Sequence, residues 1–449
     1  MASEYFEWIK KNKFLKTVAS HRETFSMIDV AMKAGGADTA VYLKQPELQL
    51  RMRRGLTFLK QEEHIEVVRQ GLPKFFDLEV KNEELKFLPH QFPITFFNLE
   101  KLNGENAQIS YSTSINKWII CSKNVSIAVD DLEEAQAKYS TEARFKFPLY
   151  IARHWFTECL PKAPNIDELK TTMDKYTFVG EVCDITENQH IVDNPVKQGL
   201  IFFALVPKTP SGLGTALCVL PDQAIPTFLK FNQSHVDVGS SCVVNSPDEF
   251  PALEKFIENL TVDASPDPYV CLSEGAVVYA TDRMAKVLLL GKIKTNKYRI
   301  LRRVRELLKN ATRDNDVTKL RSRFRQDLKK WGYTDPKDYS AYMLLLEACN
   351  HVRVSQKWPL DKISWRFIDF LHAAIAEINA GRVRSPAPAL SDANTEPLAE
   401  EENANQNDAR KARSRRHRGK GKRGPKPEAD SSEDEDKAFA CLPGDITVS

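Results

Sequence analysis

NLEKLNGENAQIS, residues 98–110, is the stretch on which the reading of this chain turns. An apolar, strand-like run (Ile94, Phe96, Phe97, Leu99) ends in Lys101, and Asn103-Gly104 follows. Asn-Gly is a strong turn signal. A lysine at the lip of such a turn is either an ordinary exposed residue at a hairpin tip or an amine aimed into a cleft, where it can act as a nucleophile. The surrounding chain decides between the two.

Outward from this point, residues 94–295 hold further strand-like runs: KWIIC, YTFVGEVC, GLIFFALV, GAVVYA and KVLLLGKIK. Helical patterns near 130–139, 147–160 and 249–262 lie between them. Strands and helices that alternate without βαβ regularity predict an α+β domain with largely antiparallel sheets. Residues 1–90 read as mixed, with amphipathic helices expected near 3–17 and 22–34. From 297 to about 381 the apolar spacing turns helical, with Gly332 and Gly381 where C-caps belong. This predicts a separate all-α domain. After Ser385 the chain is poor in aliphatic residues and rich in Pro, Glu and Asn. Such composition predicts a disordered tail. Residues 410–427 carry ten Lys or Arg in eighteen, and an acidic SSEDEDK follows at 431–437.

The whole chain has 449 residues, 42% of them apolar, and a net charge of only +3. That length allows two or three domains. Its eight cysteines show no CxxC spacing, so neither a zinc site nor a disulfide framework is expected. The N-terminus lacks an apolar core of signal-peptide length, and runs such as 200–206 are strand-sized. An intracellular protein with no membrane partner is the expectation. His64, His90 and His154 stand alone and read as structural or surface residues.

A nucleophilic lysine at 101 needs an electrophile, and the α-phosphate of a nucleoside triphosphate suits it. Such a site also requires cations for the departing pyrophosphate, carboxylates for a metal ion, an aromatic surface for the base and a polar group for the ribose. The strand-like segments offer each in turn. TFVGEVC carries Glu181, and IFFAL carries Phe202 and Phe203, of which a strand can turn only one toward a cleft. EGAVVY carries Glu274, and GKIK carries Lys292 and Lys294 on one face of a strand.

In this order, KLNG, CSKN (121–124), FVGE, IFFAL, EGAVVY and KIK resemble the motifs of the covalent nucleotidyltransferases: DNA ligases, RNA ligases and mRNA capping enzymes. Upstream, RRGLTF (53–58) and LPKFFDLEV (72–80) resemble the N-terminal segment of the bacteriophage tRNA-repair RNA ligase and of the ligase domain in fungal tRNA ligase. The resemblance spans about residues 50–296, stops short of the helical domain and the tail, and implies a nucleotidyltransferase (ligase) fold over 1–296; charge and spacing make 297–382 a helical RNA-binding domain and 383–449 a disordered charged tail. The resemblance implies an ATP-dependent RNA ligase in which Lys101 becomes adenylylated. Arg54 and Lys74 would hold the β and γ phosphates, and Lys123 would contact the ribose or the AMP phosphate. Glu181 would bind the ribose or assist the metal, Phe202 or Phe203 would stack on adenine, and Lys292 and Lys294 would neutralise the α-phosphate. Glu274 would bind Mg²⁺ (or Mn²⁺). Asn103, counted with the nucleotide-binding residues, stands where the family pattern has Asp; an amide removes the charge there and keeps the hydrogen bonding.

The implied partner is RNA with 5′-phosphate and 3′-OH ends, in RNA repair or tRNA-type splicing. No GxxxxGK[ST] loop is present, so separate end-healing enzymes would prepare those ends. Residues 297–330 hold thirteen Lys or Arg against four acids, the footprint of a phosphate backbone. The basic run at 410–427 suits a nuclear-import signal or an RNA tether, which leaves nuclear and cytoplasmic locations both open. Two competitors remain: a capping-type guanylyltransferase using GTP, which would need a C-terminal β-barrel, and a non-catalytic RNA-binding protein on a ligase fold.

Overall fold

The structure, a computed structural model, describes residues 1–384 apart from 23, 34–40, 43, 44, 46, 47, 49, 50, 80–91, 211–216, 310–316 and 334. The expected charged tail from 385 onward, with its basic run, and His90 therefore lie outside the described residues.

Three antiparallel sheets form the α+β part. The first is N-terminal, in the order β1 (Leu15–His21), β2 (Ser26–Met32), β3 (Thr57–Gln61) and β4 (His64–Arg69). The second has β10 (Gly199–Pro207) at one edge, then β9 (Tyr176–Cys183), β6 (Glu105–Ser112), β7 (Lys117–Cys121) and β8 (Ser126–Val129). The third runs β11 (Val238–Val244), β5 (Ile94–Glu100), β12 (Gly275–Thr281) and β13 (Val287–Lys294). The strand-like runs read from the sequence fall on β5, β7, β9, β10, β12 and β13.

Helix α1 (Ala2–Lys11) packs on the first sheet, and α2 (Leu132–Tyr139), α3 (Lys146–His154), α4 (Ile166–Lys175) and α5 (Pro221–Lys230) belong to the second sheet's outer layer. Helix α6 (Phe250–Asn259) covers the outer face of the third sheet. Residues 22–34, expected as a helix, contain β2, and the helix expected over 3–17 stops at Lys11, where β1 soon begins. Met27 packs against the second sheet while Ile28 and Val30 pack against α1. A strand buried on both faces loses its two-residue alternation and mimics helical spacing.

The inner faces of the second and third sheets meet over one apolar cluster that includes Leu99, Val179, Ile201, Tyr279 and Leu290. Alternation then fixes what projects at its edge. Phe97 and Leu99 face the cluster, so Lys101 continues their side of β5. Val179 and Cys183 face it, and so does Glu181 between them. Leu290 faces it, followed by Lys292 and Lys294.

Beyond Lys294 the chain is helical: α7 (Asn296–Lys309), α8 (Val317–Lys330), α9 (Pro336–Ser355), α10 (Leu360–Trp365) and α11 (Phe367–Asn379). These helices share a separate core built on Leu301, Val304, Phe324, Leu346, Val352 and Phe367. Gly332 and Gly381 take φ of +80° and +69° after α8 and α11, the left-handed geometry that ends helices.

Candidate active site

The backbone brings three strand ends into line. Lys101 donates its N–H to the Gly275 carbonyl at 2.9 Å, and Gly275 pairs with Lys294 across β12–β13. Glu274 by simple alternation would fall with Ala276 and Val278 on the outer face. Gly275, at φ +139°, redirects the chain. A Cβ there would lie 2.0 Å from the Ile293 carbonyl oxygen, so only glycine fits. Glu274 consequently turns inward, and its Oε1 lies 3.0 Å from Lys101 Nζ. The Lys101 ammonium also donates to the Leu102 carbonyl at 3.3 Å.

Glu181 approaches from the second sheet, where its Oε2 accepts the Gly104 N–H at 2.9 Å. Gly104 is itself held tightly, since a Cβ there would lie 2.2 Å from the Val182 carbonyl oxygen. Both carboxylates thus fix the KLNG turn, one through the lysine and one through the glycine.

Asn103 makes contacts that use the whole amide. Its Nδ2 donates to Glu274 Oε2 at 2.7 Å and reaches the Tyr298 hydroxyl at 3.5 Å. Its Oδ1 accepts the backbone N–H groups of Ile191 and Val192 at 2.9 and 3.0 Å. An amide has two donor hydrogens and two acceptor lone pairs, so no polar capacity is left over for a nucleotide. The departure from Asp also acquires a reason. A carboxylate at 103 could accept from residues 191 and 192 but would face Glu274 without a donor.

Charges in the cluster shift one another. Burial works against the Lys101 ammonium, but Glu274, then Glu181, outweigh it and hold Lys101 above the ordinary lysine value. Burial pushes Glu274 upward too, yet the Lys101 charge and its hydrogen bond bring it below the usual glutamate value. Glu181, with no direct ion pair, is pushed up to about 7, chiefly by burial. Lys294 is lowered by burial, then by Lys292 and Arg302. The free site therefore stores Lys101 charged.

The other expected residues sort themselves by position. Lys292 Nζ lies 3.8 Å from Asp77 Oδ1, and segment 76–78 runs beside β13 through hydrogen bonds between Leu78 and Lys292 and between Lys292 and Phe76. Just ahead of that segment, buried Lys74 lies between Leu72 and Phe75, both packed on the inter-sheet cluster. Arg54 exchanges backbone hydrogen bonds with Gly71 and Leu72, so the Arg54 and Lys74 segments are neighbours. Lys123 is half-buried on the turn between β7 and β8.

Phe202 requires a correction. It is fully buried among Trp155, Phe178 and Phe228 on the outer side of the second sheet. A bulge between Phe202 and Ala204 leaves Phe203 half-buried on the inter-sheet side, so Phe203 alone is available to a base.

Sequence reasoning missed Tyr298, Arg302 and the segment 189–193. Tyr298 follows Lys294 by four residues, in the first turn of α7, where its spacing marks it only as a core residue. Segment 189–193 meets Asn103 through backbone N–H groups, which leave no side-chain signature. A shallow pocket beside the lysine is bordered by Lys101, Asn103, His190, Val192, Asn194 and Lys197. Among the described residues there is no cluster of three or more His, Cys, Asp or Glu of metal-binding geometry.

No curated protein sequence matches the chain. Among solved structures, an archaeal ATP-dependent RNA ligase is 12% identical, with a TM-score of 0.42 over 84% of this chain and 80% of that one. A putative ATP-dependent DNA ligase from Aquifex aeolicus is 14% identical, with a TM-score of 0.38 over the same shares of the two chains. A Naegleria gruberi RNA ligase, solved with ATP and Mn, is 11% identical, with a TM-score of 0.31 over 64% of this chain and 98% of that one. The family model described as RNA ligase matches residues 52–298, more than half of the sequence and all of the site from Arg54 to Tyr298, and the chain belongs to that RNA ligase family.

Proposed function

We propose that this RNA ligase uses ATP to join a 5′-phosphate to a 3′-OH through lysyl-AMP and RNA-adenylate intermediates. The observation that carries the reading is the ion-paired Lys101 at the meeting of two sheets, with Glu181, Glu274 and Lys294 converging on its turn.

In the first step Lys101 Nζ attacks the α-phosphorus, the bond to the β-phosphate oxygen breaks, and pyrophosphate leaves. The amine must be neutral at that moment. Glu274 is the contact that keeps it charged. Once the Glu274 charge is engaged elsewhere, burial acts on Lys101 with less opposition and favours the neutral amine. In the second step a 5′-phosphate oxygen displaces Lys101 from the adenylate phosphorus. In the third, the 3′-OH attacks the activated 5′-phosphate and AMP departs. Positioning and charge neutralisation supply most of such catalysis.

Roles follow position. Lys292 and Lys294 face the α-phosphate, Arg54 and Lys74 the β and γ phosphates, and Phe203 the adenine. Glu181 accepts from the ribose hydroxyls, and Lys123 contacts ribose or phosphate. Magnesium binds through one or two carboxylates plus phosphate oxygens and water, and the donor set here, Glu274 with Glu181, fits it. Bound there, the ion would offset triphosphate charge.

The helices after Lys294 act as an RNA-binding domain over 297–382. Several of their cations are committed internally: Arg303 pairs with Asp327 at 2.6 Å, and Arg321 Nη2 donates to Glu347 at 2.8 Å. Exposed Arg323, Lys329 and Lys330 on α8 present charge outward. The natural setting is RNA repair or tRNA-type splicing, in nucleus or cytoplasm, with ends healed by other proteins and the basic run at 410–427 as import signal or tether. Among the described residues no helix is long and apolar enough to cross a membrane. The capping reading is disfavoured because, among the described residues, helices α7–α11 and no β-barrel follow Lys294.

The test is circularisation of a 5′-phosphorylated RNA with a 3′-OH. Circles should form with ATP and not with GTP alone, and a 5′-OH RNA should remain linear. Equal activity with GTP, or none with either, would overturn the reading.

A further inference from the structure

We propose that the β9–β10 connection acts as a strap through which the helical domain holds the nucleophile turn, with Asn103 the positioning residue at its inner end. The helical domain then governs the first transfer, onto Lys101, as well as RNA binding. This inference rests on the reading of Lys101 as the adenylylated amine.

Residues 189–193 are bonded on both sides. At the helical side, the Gln189 N–H donates to the Trp365 carbonyl at 2.9 Å. The Gln189 side chain donates to Asp369 Oδ1 at 2.8 Å and accepts the Asp369 N–H at 3.0 Å. Ile191 is buried in the helical core beside Leu301 and Phe367. Asp193 Oδ2 lies 2.8 Å from His372 Nε2 on α11, while its N–H donates at 2.9 Å to the Cys271 carbonyl, in the segment that leads into β12. At the catalytic side, the N–H groups of Ile191 and Val192 both end on Asn103 Oδ1. Asn103 Nδ2 in turn holds Glu274 Oε2, whose other oxygen holds Lys101.

The path from α11 to the lysine is therefore continuous: Asp369, Gln189, the backbone of 191–192, Asn103, Glu274, Lys101. Tyr298 closes it from α7, since its hydroxyl meets Asn103 while its ring belongs to the helical core. The helical domain cannot shift against the third sheet without moving the two N–H groups that orient the Asn103 amide. A reorientation of that amide changes which oxygen Glu274 offers to Lys101. Energetic coupling of this kind travels through contiguous packed and hydrogen-bonded groups.

The experiment is a double-mutant cycle on the full chain. Gln189→Ala, Asn103→Ala and the double variant are incubated with ATP and Mg²⁺, and the rate of AMP addition is read by intact mass. RNA binding without ATP is measured in parallel. His372→Ala is a milder second perturbation, because that side chain is half exposed, and it decides the matter if Gln189→Ala does not fold. Gln189→Ala should slow AMP addition by roughly tenfold, with RNA binding unchanged and the KM for ATP little moved. In the Asn103→Ala background it should add nothing further. Independent, multiplying effects, or a normal rate in both Gln189→Ala and His372→Ala, would overturn the proposal. Hydrogen exchange of the 101–104 amides gives a readout that needs no nucleotide transfer. Exchange there should quicken in Gln189→Ala, and unchanged exchange refutes the strap. Absence of any adduct on the wild type would instead refute the role of Lys101, with the exchange result still deciding the coupling.

Discussion

Replacement of Asn103 by Asp changes one nitrogen for an oxygen at the centre of the site, and its cost can be worked from the contacts. Asn103 Nδ2 sits 2.7 Å from Glu274 Oε2. Asn103→Asp removes a hydrogen bond to a charged acceptor, a loss of about 1.5–3 kcal/mol. It also sets two carboxylates in contact. At an effective dielectric constant of about 20, like charges at that separation repel by about 6 kcal/mol. The protein avoids most of this by binding a proton between them. Raising a carboxyl pKa from about 4 to 7 costs about 4 kcal/mol, which caps the penalty at neutral pH. The Lys101 ammonium offsets part of the remainder, so a net destabilisation of about 2–4 kcal/mol is expected at pH 7. The sign with pH follows. The folded variant holds a proton that the unfolded chain has released, so its deficit shrinks as pH falls toward the ordinary carboxyl range and grows as pH rises. Urea denaturation of wild type and variant at pH 5, 7 and 8 measures this. Equal stability at pH 8, or a deficit that grows toward pH 5, would refute the placement of the amide.

Two further outcomes can be checked. Phe203→Ala should raise the KM for ATP on the order of tenfold through lost stacking, with the fold intact. Phe202→Ala should instead destabilise by about 3–5 kcal/mol and leave the KM of the folded fraction unchanged; the reverse pattern would place the wrong ring at the base. Burial pushes the thiols of Cys121, Cys159, Cys183, Cys218 and Cys271 up to about 12. Unfolded cysteines ionise near pH 8.5, so the stability held below that pH is lost above it, at up to about 1.4 kcal/mol per unit for each thiol. A denaturation midpoint that stays flat from pH 8 to 10.5 would contradict this.

Much of the site was legible because strands alternate. Leu99 and Lys101, Val179 and Glu181, and Leu290, Lys292 and Lys294 share faces by arithmetic alone. Glu274 breaks that arithmetic, and only Gly275 beside it signals the break. Strand β6 escaped notice because its second face buries polar Gln108, Ser110 and Ser112 against the first sheet, where Arg69 reaches Gln108 and the Val68 carbonyl accepts from Ser110. Phe202 and Phe203 were indistinguishable without the bulge between their strand partners. The strap was invisible because backbone N–H groups act there, and every residue except proline has one. In the sequence Asn103 is a departure from the family's Asp; its four contacts make it the residue the local geometry requires.

The central claim is that the Lys101 amine becomes covalently bonded to AMP. Wild type and Lys101→Ala are each incubated with ATP and Mg²⁺, and intact and peptide masses are recorded. The account predicts one AMP per wild-type chain, on the peptide that contains Lys101, and none on the variant. An unmodified wild type, or an adduct on any other residue, would contradict it.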